Sequence, residues 1–347
     1  MLVYPLRSMK KFVTNILKYL IGFGIAAILI WWSLHNLSGK DLTDIKEALL
    51  RARFWLLVPV FAVLLASHWF RALRWKQLIT PLGYQPAVVD LVCGLLIGYI
   101  ANQVIPRAGE IVRCTTVARA NKIPPEKIIG TMVAERAFDI VCLLLISLGT
   151  FIMEYDYIES YSAEIYHSLR HGLNAGGPAR WLILGGLVLF ALLCYWLVKK
   201  AKTNKLGRFI ANIGHGLAEG LQSIKRVDNK PKFLLNTLLI WTCYVLATWL
   251  GCFALEETSH LNISTSIAML VFGTFGIIVS PGGLGAYPIA IQKTLGLYGL
   301  DDNIGLATGW ILWLAQFIFT IIFGLAAYCL LNYLKRPVHE KHSIHTA

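Results

Sequence analysis

Apolar residues come in blocks of about 20, the length that crosses a bilayer, separated by short polar stretches. The pattern predicts six full spans, at 16–34, 54–70, 128–153, 181–198, 233–255 and 304–334. The second runs on into Arg71, Arg74, Trp75 and Lys76. Two other apolar runs are interrupted. Residues 88–105 stop at Pro106 and turn polar, and 263–300 are apolar to Val279, then broken at Ser280-Pro281-Gly282-Gly283-Leu284-Gly285. Between the first two spans, Ser38-Gly39-Lys40-Asp41 reads as a cap. Leu42, Ile45, Leu49 and Leu50 follow at helical spacing, as in a short amphipathic helix lying on the membrane.

Loop charge sets the expected topology, because cytoplasmic loops carry excess Lys and Arg. Residues 199–232 hold nine cations, among them Lys199, Arg208, Lys225 and Lys232, against two acids, and are expected in the cytoplasm. The acids of 154–180, Glu256-Glu257 and Asp301-Asp302 are expected outside. This parity holds only if each interrupted segment enters and leaves on one side, as a re-entrant loop or a tight hairpin. The first would enter from the cytoplasm and the second from outside, with both termini in the cytoplasm. Loop 35–53 fits poorly, since Lys40, Lys46, Arg51 and Arg53 are then external.

Each half reads span, span, broken segment, span, and Pro106 and Pro281 lie 175 residues apart (281 − 106). Three crossings per half would invert the second copy. Inverted repeats with broken helices at matching positions point to a transporter site near the midplane. The expected fold is therefore an all-α polytopic membrane protein in one integral membrane domain, 1–347. Its repeat halves, 16–153 and 181–334, are joined by an external loop.

Composition agrees with this picture. The chain is 56% hydrophobic and 15% charged, against about 25% charged in soluble domains. Its formal charge of +13 is read as loop bias plus contact with anionic lipid. No motif for reading DNA or RNA occurs, so nucleic acid is not an expected partner. Trp residues such as Trp31, Trp55, Trp69 and Trp75 sit at block ends, where such rings prefer the headgroup level. The seven cysteines are scattered without a Cys-x-x-Cys pair and read as small buried apolar residues. No Asp-x-Asp or His-rich metal motif appears, and no catalytic residue, metal or cofactor is expected. Lys10 and Lys11 precede an apolar run to Leu34 with no cleavage site, as in an uncleaved first span.

Four constellations carry candidate chemistry. The first is Asn102, Pro106-Arg107-Ala108-Gly109-Glu110 and Arg113. Proline ends a helix and Gly109 permits a tight turn. Irregular backbone at membrane depth survives only against protein or a wet cavity. Arg107 and Glu110 can pair at i, i+3, with Arg113 continuing that face; the segment can equally be a cytoplasmic turn with surface charges. The second is Glu135-Arg136 with Asp139, where Arg136 can pair with Glu110 or Asp139, or fork a phosphate. A structural ion pair is the alternative. The third is Ser280-Pro281-Gly282-Gly283-Leu284-Gly285-Ala286-Tyr287, which cannot be a continuous helix. Its freed amides at a half-helix start would suit an anion, or it is a ligand-free hairpin turn. The fourth is Arg71 with Arg74, read as snorkelling topology anchors or as a headgroup clamp.

At these residues the chain resembles the flippase-like, lysylphosphatidylglycerol-synthase transmembrane-region family. The resemblance rests on Arg71 with Arg74-Trp75, and on Gly98 with Asn102, Pro106-Arg107-Ala108-Gly109-Glu110 and Arg113. It extends to Glu135-Arg136 with Asp139 and to Pro281-Gly282-Gly283-Leu284-Gly285. Tyr287-Pro288 stands where that family usually places a glutamate. The resemblance implies a multi-pass domain of the bacterial inner membrane that moves or presents lipids, with anionic membrane lipids as its ligands. It also implies polyprenyl-phosphate glycan or hopanoid pathways as settings. In the full-length synthases a separate soluble domain makes the lipid, and none is expected here. A homo-oligomer or a lipid-synthesis enzyme partner remains open.

Overall fold

The computed structural model describes residues 39–105, 108–154 and 227–334, with Gly24, Ala27, Ile28 and Trp31 ahead of them. Most of the expected span at 16–34, the expected span at 181–198, most of the cation-rich loop, Pro106 and Arg107 lie outside the described residues.

The chain is all-helical among the described residues. Helix α1 is Gly39–Arg51, α2 is Leu57–Ile79, α3 is Val88–Val104, α4 is Ala108–Asn121 and α5 is Pro125–Met153. After the undescribed stretch come α6 (Lys230–Cys252), α7 (Ile263–Val279), α8 (Ala286–Leu297) and α9 (Asp302–Leu334). Among the described residues, four stretches, Phe54–Leu82, Pro125–Met153, Lys230–Cys252 and Asp302–Tyr333, are long and apolar enough to cross a membrane, while Val88–Gln103 and Ile263–Val279 are shorter. The protein is thus a polytopic helical membrane protein. Leu144, Leu148 and Ile152 on α5 and Leu325 on α9 are exposed, as side chains facing hydrocarbon should be.

Local chemistry sets the helix starts. Pro124-Pro125 opens α5, where a missing N–H is no loss. Asn229 Oδ1 accepts from Lys232 N at 3.0 Å at the head of α6, and Asn262 Oδ1 accepts from Thr265 N at 2.9 Å at the head of α7.

Helix α1 forms where the spacing placed it, and one face docks on protein. Ala48 and Ala52 pack with Ala254, Leu255, Ala307 and Ile311. Asn303 Nδ2 donates to Asp41 Oδ1 at 3.0 Å, and Arg53 N donates to Ala254 O at 2.8 Å. Leu42 and Leu50 stay exposed.

The main core joins α2, α3, α4, α5 and α9 through Trp75, Ile79, Leu91, Leu95, Val117, Ile128 and Phe319. A second core joins α7, α8 and α9 through Met269, Tyr287, Ile291 and Leu312. Both interrupted segments fold back as helical hairpins, α3 on α4 and α7 on α8. Each pairing among α2–α5 has a counterpart among α6–α9. Helix α4 packs on α5 as α8 does on α9, and α2 on α3 as α6 does on α7. Helix α3 packs on α9 as α7 does on α5, while α2 and α6 pack on each other. Lengths recur too. Helices α2 and α6 both have 23 residues, displaced by 173 positions (230 − 57), and α3 and α7 both have 17, displaced by 175 (263 − 88).

Candidate functional site: a buried guanidinium–carboxylate cluster

Arg71 and Arg74 lie three residues apart on α2, and Glu135 and Asp139 four apart on α5. Each pair therefore occupies one helix face. Helix α2 packs on α5, and α4 brings Arg113 to the same place. Arg71 Nη2 donates to Asp139 Oδ2 at 2.7 Å, and Arg74 Nη2 to Asp139 Oδ1 at 2.5 Å. Arg113 Nη2 donates to Glu135 Oε2 at 2.6 Å. Glu135 Oε1 lies 3.5 Å from Arg71 Nε and 3.4 Å from Arg74 Nη2.

Neutral groups complete the cluster. Arg71 Nη1 donates to Tyr99 Oη at 2.9 Å, and Arg74 Nη1 to Thr237 Oγ1 at 3.4 Å. The Arg113 guanidinium sits over the Trp75 ring, 4.5 Å from its centroid, and Trp75 Nε1 donates to Thr131 Oγ1 at 3.0 Å. The His68 ring lies against Tyr99 and Phe319. Arg74 and Glu135 have no exposed surface, Arg113 has 2% and Arg71 5%. Arg71 and Arg74 are therefore not snorkelling anchors: their heads turn inward, because α5 supplies carboxylates there. Trp75, grouped above with the interfacial tryptophans, is likewise buried.

The cluster holds three guanidinium charges against two carboxylates. Arg113 Nε and Nη1 are buried without a hydrogen-bond partner, as are Arg71 Nε, Arg74 Nε and His68 Nδ1. Glu135 is the eleventh residue of α5, about 15 Å along a helix of about 43 Å at 1.5 Å per residue. A lone charge at bilayer centre costs at least about 2.5–3.5 kcal/mol, so charges there are paired or have a task. Here the pairing is one carboxylate short.

The hairpin tips lie close by. Asn102 Oδ1 accepts from Gly109 N at 2.7 Å, clasping α3 to α4 across the first tip. A Cβ on Gly109 would come 1.9 Å from Gly98 O, so the two backbones touch where only glycine fits. Arg136, one-third exposed, has Nε 3.5 Å from Glu110 Oε1, one of the two pairings read from sequence. At the second tip Pro281–Gly283 makes a 3-10 turn with φ +62° at Gly282, +76° at Gly283 and +76° at Gly285. Two amides are used inside this turn: Gly283 N donates to Ser280 O and Leu284 N to Pro281 O, while Ser280 Oγ donates to Leu284 O. The tips meet, with Gln103 Oε1 2.9 Å from where a Gly282 Cβ would stand, and Trp313 Nε1 donating to Gly282 O at 2.8 Å. Tyr287 is buried against α7.

The structure thus brings Arg71, Arg74, Arg113, Glu135 and Asp139 into one cluster, and leaves Asn102, Glu110 and Arg136 at the edge of the first hairpin. Sequence reading missed Tyr99, Thr237 and His68. His68, Arg71 and Trp75 stand at i, i+3 and i+7, a polar stripe on an apolar helix that could have flagged the first of these.

Fold and site define a helical membrane protein with two broken hairpins and a charged cluster inside the bundle. The chain belongs to the family described as the lysylphosphatidylglycerol synthase TM region, whose model matches residues 19–324. It is 21% identical over 290 residues to a UPF0104 membrane protein of Methanocaldococcus jannaschii, covering 77% of this chain and 81% of that one. It is 24% identical over 266 residues to the glycosyltransferase AglD of Haloferax volcanii, covering 67% of this chain and 42% of that protein. No solved structure matches.

Proposed function

We propose that this protein moves an anionic or amphiphilic lipid, a phospholipid or a polyprenyl-phosphate-linked lipid, across a bacterial inner membrane. One observation carries the reading: three buried guanidiniums face two carboxylates inside the bundle, with Arg113 Nε and Nη1 unpartnered. A phosphate oxygen would complete both charge and hydrogen bonding. In this reading 16–153 and 181–334 are the halves of an inverted repeat, supported by the recurring lengths and pairings of α2–α5 and α6–α9. Rocking of one half against the other about the touching hairpin tips alternates access. Arg136, one-third exposed beside the first hairpin, attracts the headgroup at the entrance, a task the sequence also suggests for Arg107.

The test is a headgroup-accessibility assay in proteoliposomes. Wild type should move a labelled anionic phospholipid, and Arg136→Ala should slow it by about tenfold, the weight of one charge-assisted contact. Equal rates would remove Arg136 from the mechanism. No transfer by wild type above empty vesicles would sink the reading.

The name of the Haloferax volcanii relative favours a second reading, an integral-membrane transferase on a lipid-phosphate sugar. Glu110, Glu135 and Asp139 would have to supply its base. Both Glu135 and Asp139 are tied up by arginines, which speaks for the transport reading. A third, a non-transporting partner of a lipid-synthesis enzyme, predicts a stable complex and no transfer by the protein alone.

A further inference from the structure

A cavity of about 150 Å³ lies among α2, α6, α7, α8 and α9, outside the cluster described above. Its walls include Tyr244, Ala247, Thr274, Tyr287, Leu312 and Gln316. The recurring helix lengths give these positions a meaning. The displacement of 173 between α2 and α6 carries Arg71 to Tyr244 and Arg74 to Ala247. That of 175 between α3 and α7 carries Tyr99 to Thr274. The starts of α5 and α9 differ by 177 (302 − 125), which carries Glu135 to Leu312 and Asp139 to Gln316. These five counterparts, of Arg71, Arg74, Tyr99, Glu135 and Asp139, all line the one cavity. By helix starts, 178 apart (286 − 108), Arg113 falls on Ile291, packed beside Tyr287.

The exchange explains the space. Arg to Ala and Tyr to Thr remove two large side chains, and Glu to Leu removes a charge. The two threonine hydroxyls do not make the cavity polar. Thr274 Oγ1 donates to Leu270 O at 2.6 Å and Thr248 Oγ1 to Tyr244 O at 3.1 Å, so each is bonded back onto its own helix. The cavity also adjoins the cluster. Val60 and Leu64 of α2 line it, and Arg71 continues that helix face two turns on, about 10 Å from Leu64. Helix α6 also reaches the cluster, since Arg74 Nη1 donates to Thr237 Oγ1 at 3.4 Å two turns before Tyr244.

We propose that this cavity holds a short segment of one hydrocarbon chain of a phosphate-bearing lipid, with the headgroup at the Arg71–Arg74–Arg113 cluster. One half of the repeat keeps its inner site charged for the phosphate, and the other has emptied the matching site for the chain. A cavity of this size has room for a guest about as large as benzene, which corresponds to a short stretch of one chain rather than a whole lipid; its wall is mostly apolar, with Tyr244, Tyr287 and Gln316 adding polar groups. The surplus positive charge selects an anionic headgroup at the other end.

The proposal rests on the lipid-handling reading, and the test separates the two. The full chain is reconstituted with phosphatidylglycerol bearing a photoactivatable diazirine in one acyl chain. Crosslinked peptides are expected from 244–251, 270–277 and 312–316. Ala247→Phe, which fills the cavity, should cut that labelling by about tenfold or more, while Leu144→Phe on the outer face leaves it unchanged. Labelling confined to outer-face positions such as Leu144, Leu148 and Leu325 overturns the proposal, whether or not Ala247→Phe folds, because wild type alone gives that result. Lipid movement is followed in the same vesicles. Movement by wild type without cavity labelling leaves the translocase standing and removes the chain site. Cavity labelling without movement does the reverse.

Discussion

Glu135 makes the tightest contact to Arg113 and stands within 3.5 Å of two further guanidiniums, with none of its own surface exposed. Breaking a buried pair from one side leaves an uncompensated charge and costs about 3–5 kcal/mol. Glu135→Gln is therefore expected to lower the thermal unfolding midpoint in detergent sharply. Arg53→Ala removes an exposed pair with Glu256 and should change stability by less than about 1 kcal/mol. A Glu135→Gln protein as stable as wild type would show that the cluster is already open to water. Glycines give a matched comparison on the same scale. Gly109→Ala drives a Cβ into the Gly98 carbonyl and should cost about 1–3 kcal/mol or more. Gly130→Ala on α5 meets nothing within 4 Å and should be neutral or stabilising. Equal midpoints for the two variants would mean that α3 and α4 do not touch in the membrane.

At the scale of elements, the hairpins depend on a few residues at their tips. Gly282 sits at φ +62°, in the left-handed region that costs a residue with a Cβ about 1–2 kcal/mol, and its Cβ would also press on Gln103. Gly282→Ala should slow lipid movement more than it lowers the unfolding midpoint, since the strain falls where the tips meet. Proteoliposome rates set beside melting curves check this; a fall in stability with no change in rate would detach the tip from transport. Helix α1 is the other element with a consequence of its own. Its Ala48 face is taken by protein and its Leu50 side is exposed, as in a helix resting at the bilayer surface. A spin label at Leu50 should report headgroup depth, and one at Leu144 the hydrocarbon. A hydrocarbon-deep reading at Leu50 would put α1 inside the bilayer.

For the whole molecule, the ends of α6 must face opposite sides of the membrane if that helix crosses once. The cation-rich loop ends at Lys230 and Lys232, and Glu256-Glu257 follow the other end. In a cysteine-free background, a cysteine at Glu257 should react with an impermeant thiol reagent in intact cells, and one at Lys232 only after permeabilisation. The reverse pattern would invert the molecule and with it the direction from which each hairpin enters.

The chain's own pattern determined where the helices lie. Membrane-length apolar blocks and proline or glycine breaks act locally, so α2, α5, α6, α9 and both hairpins fall within a few residues of their expected places. The same local logic singled out Arg113, Glu135 and Asp139 as charges beside or inside apolar runs, and Arg71 with Arg74 as membrane-edge anchors or a headgroup clamp. Only the tertiary structure decided who meets whom. A guanidinium three residues before a membrane edge and one facing a carboxylate on another helix look alike in sequence. The choice between snorkelling and burial depends on whether a partner 61 to 68 residues away supplies an oxygen. The cavity beside the cluster was hidden for the same reason. Its walls come from five helices, and a space left by absent side chains has no letter in the sequence.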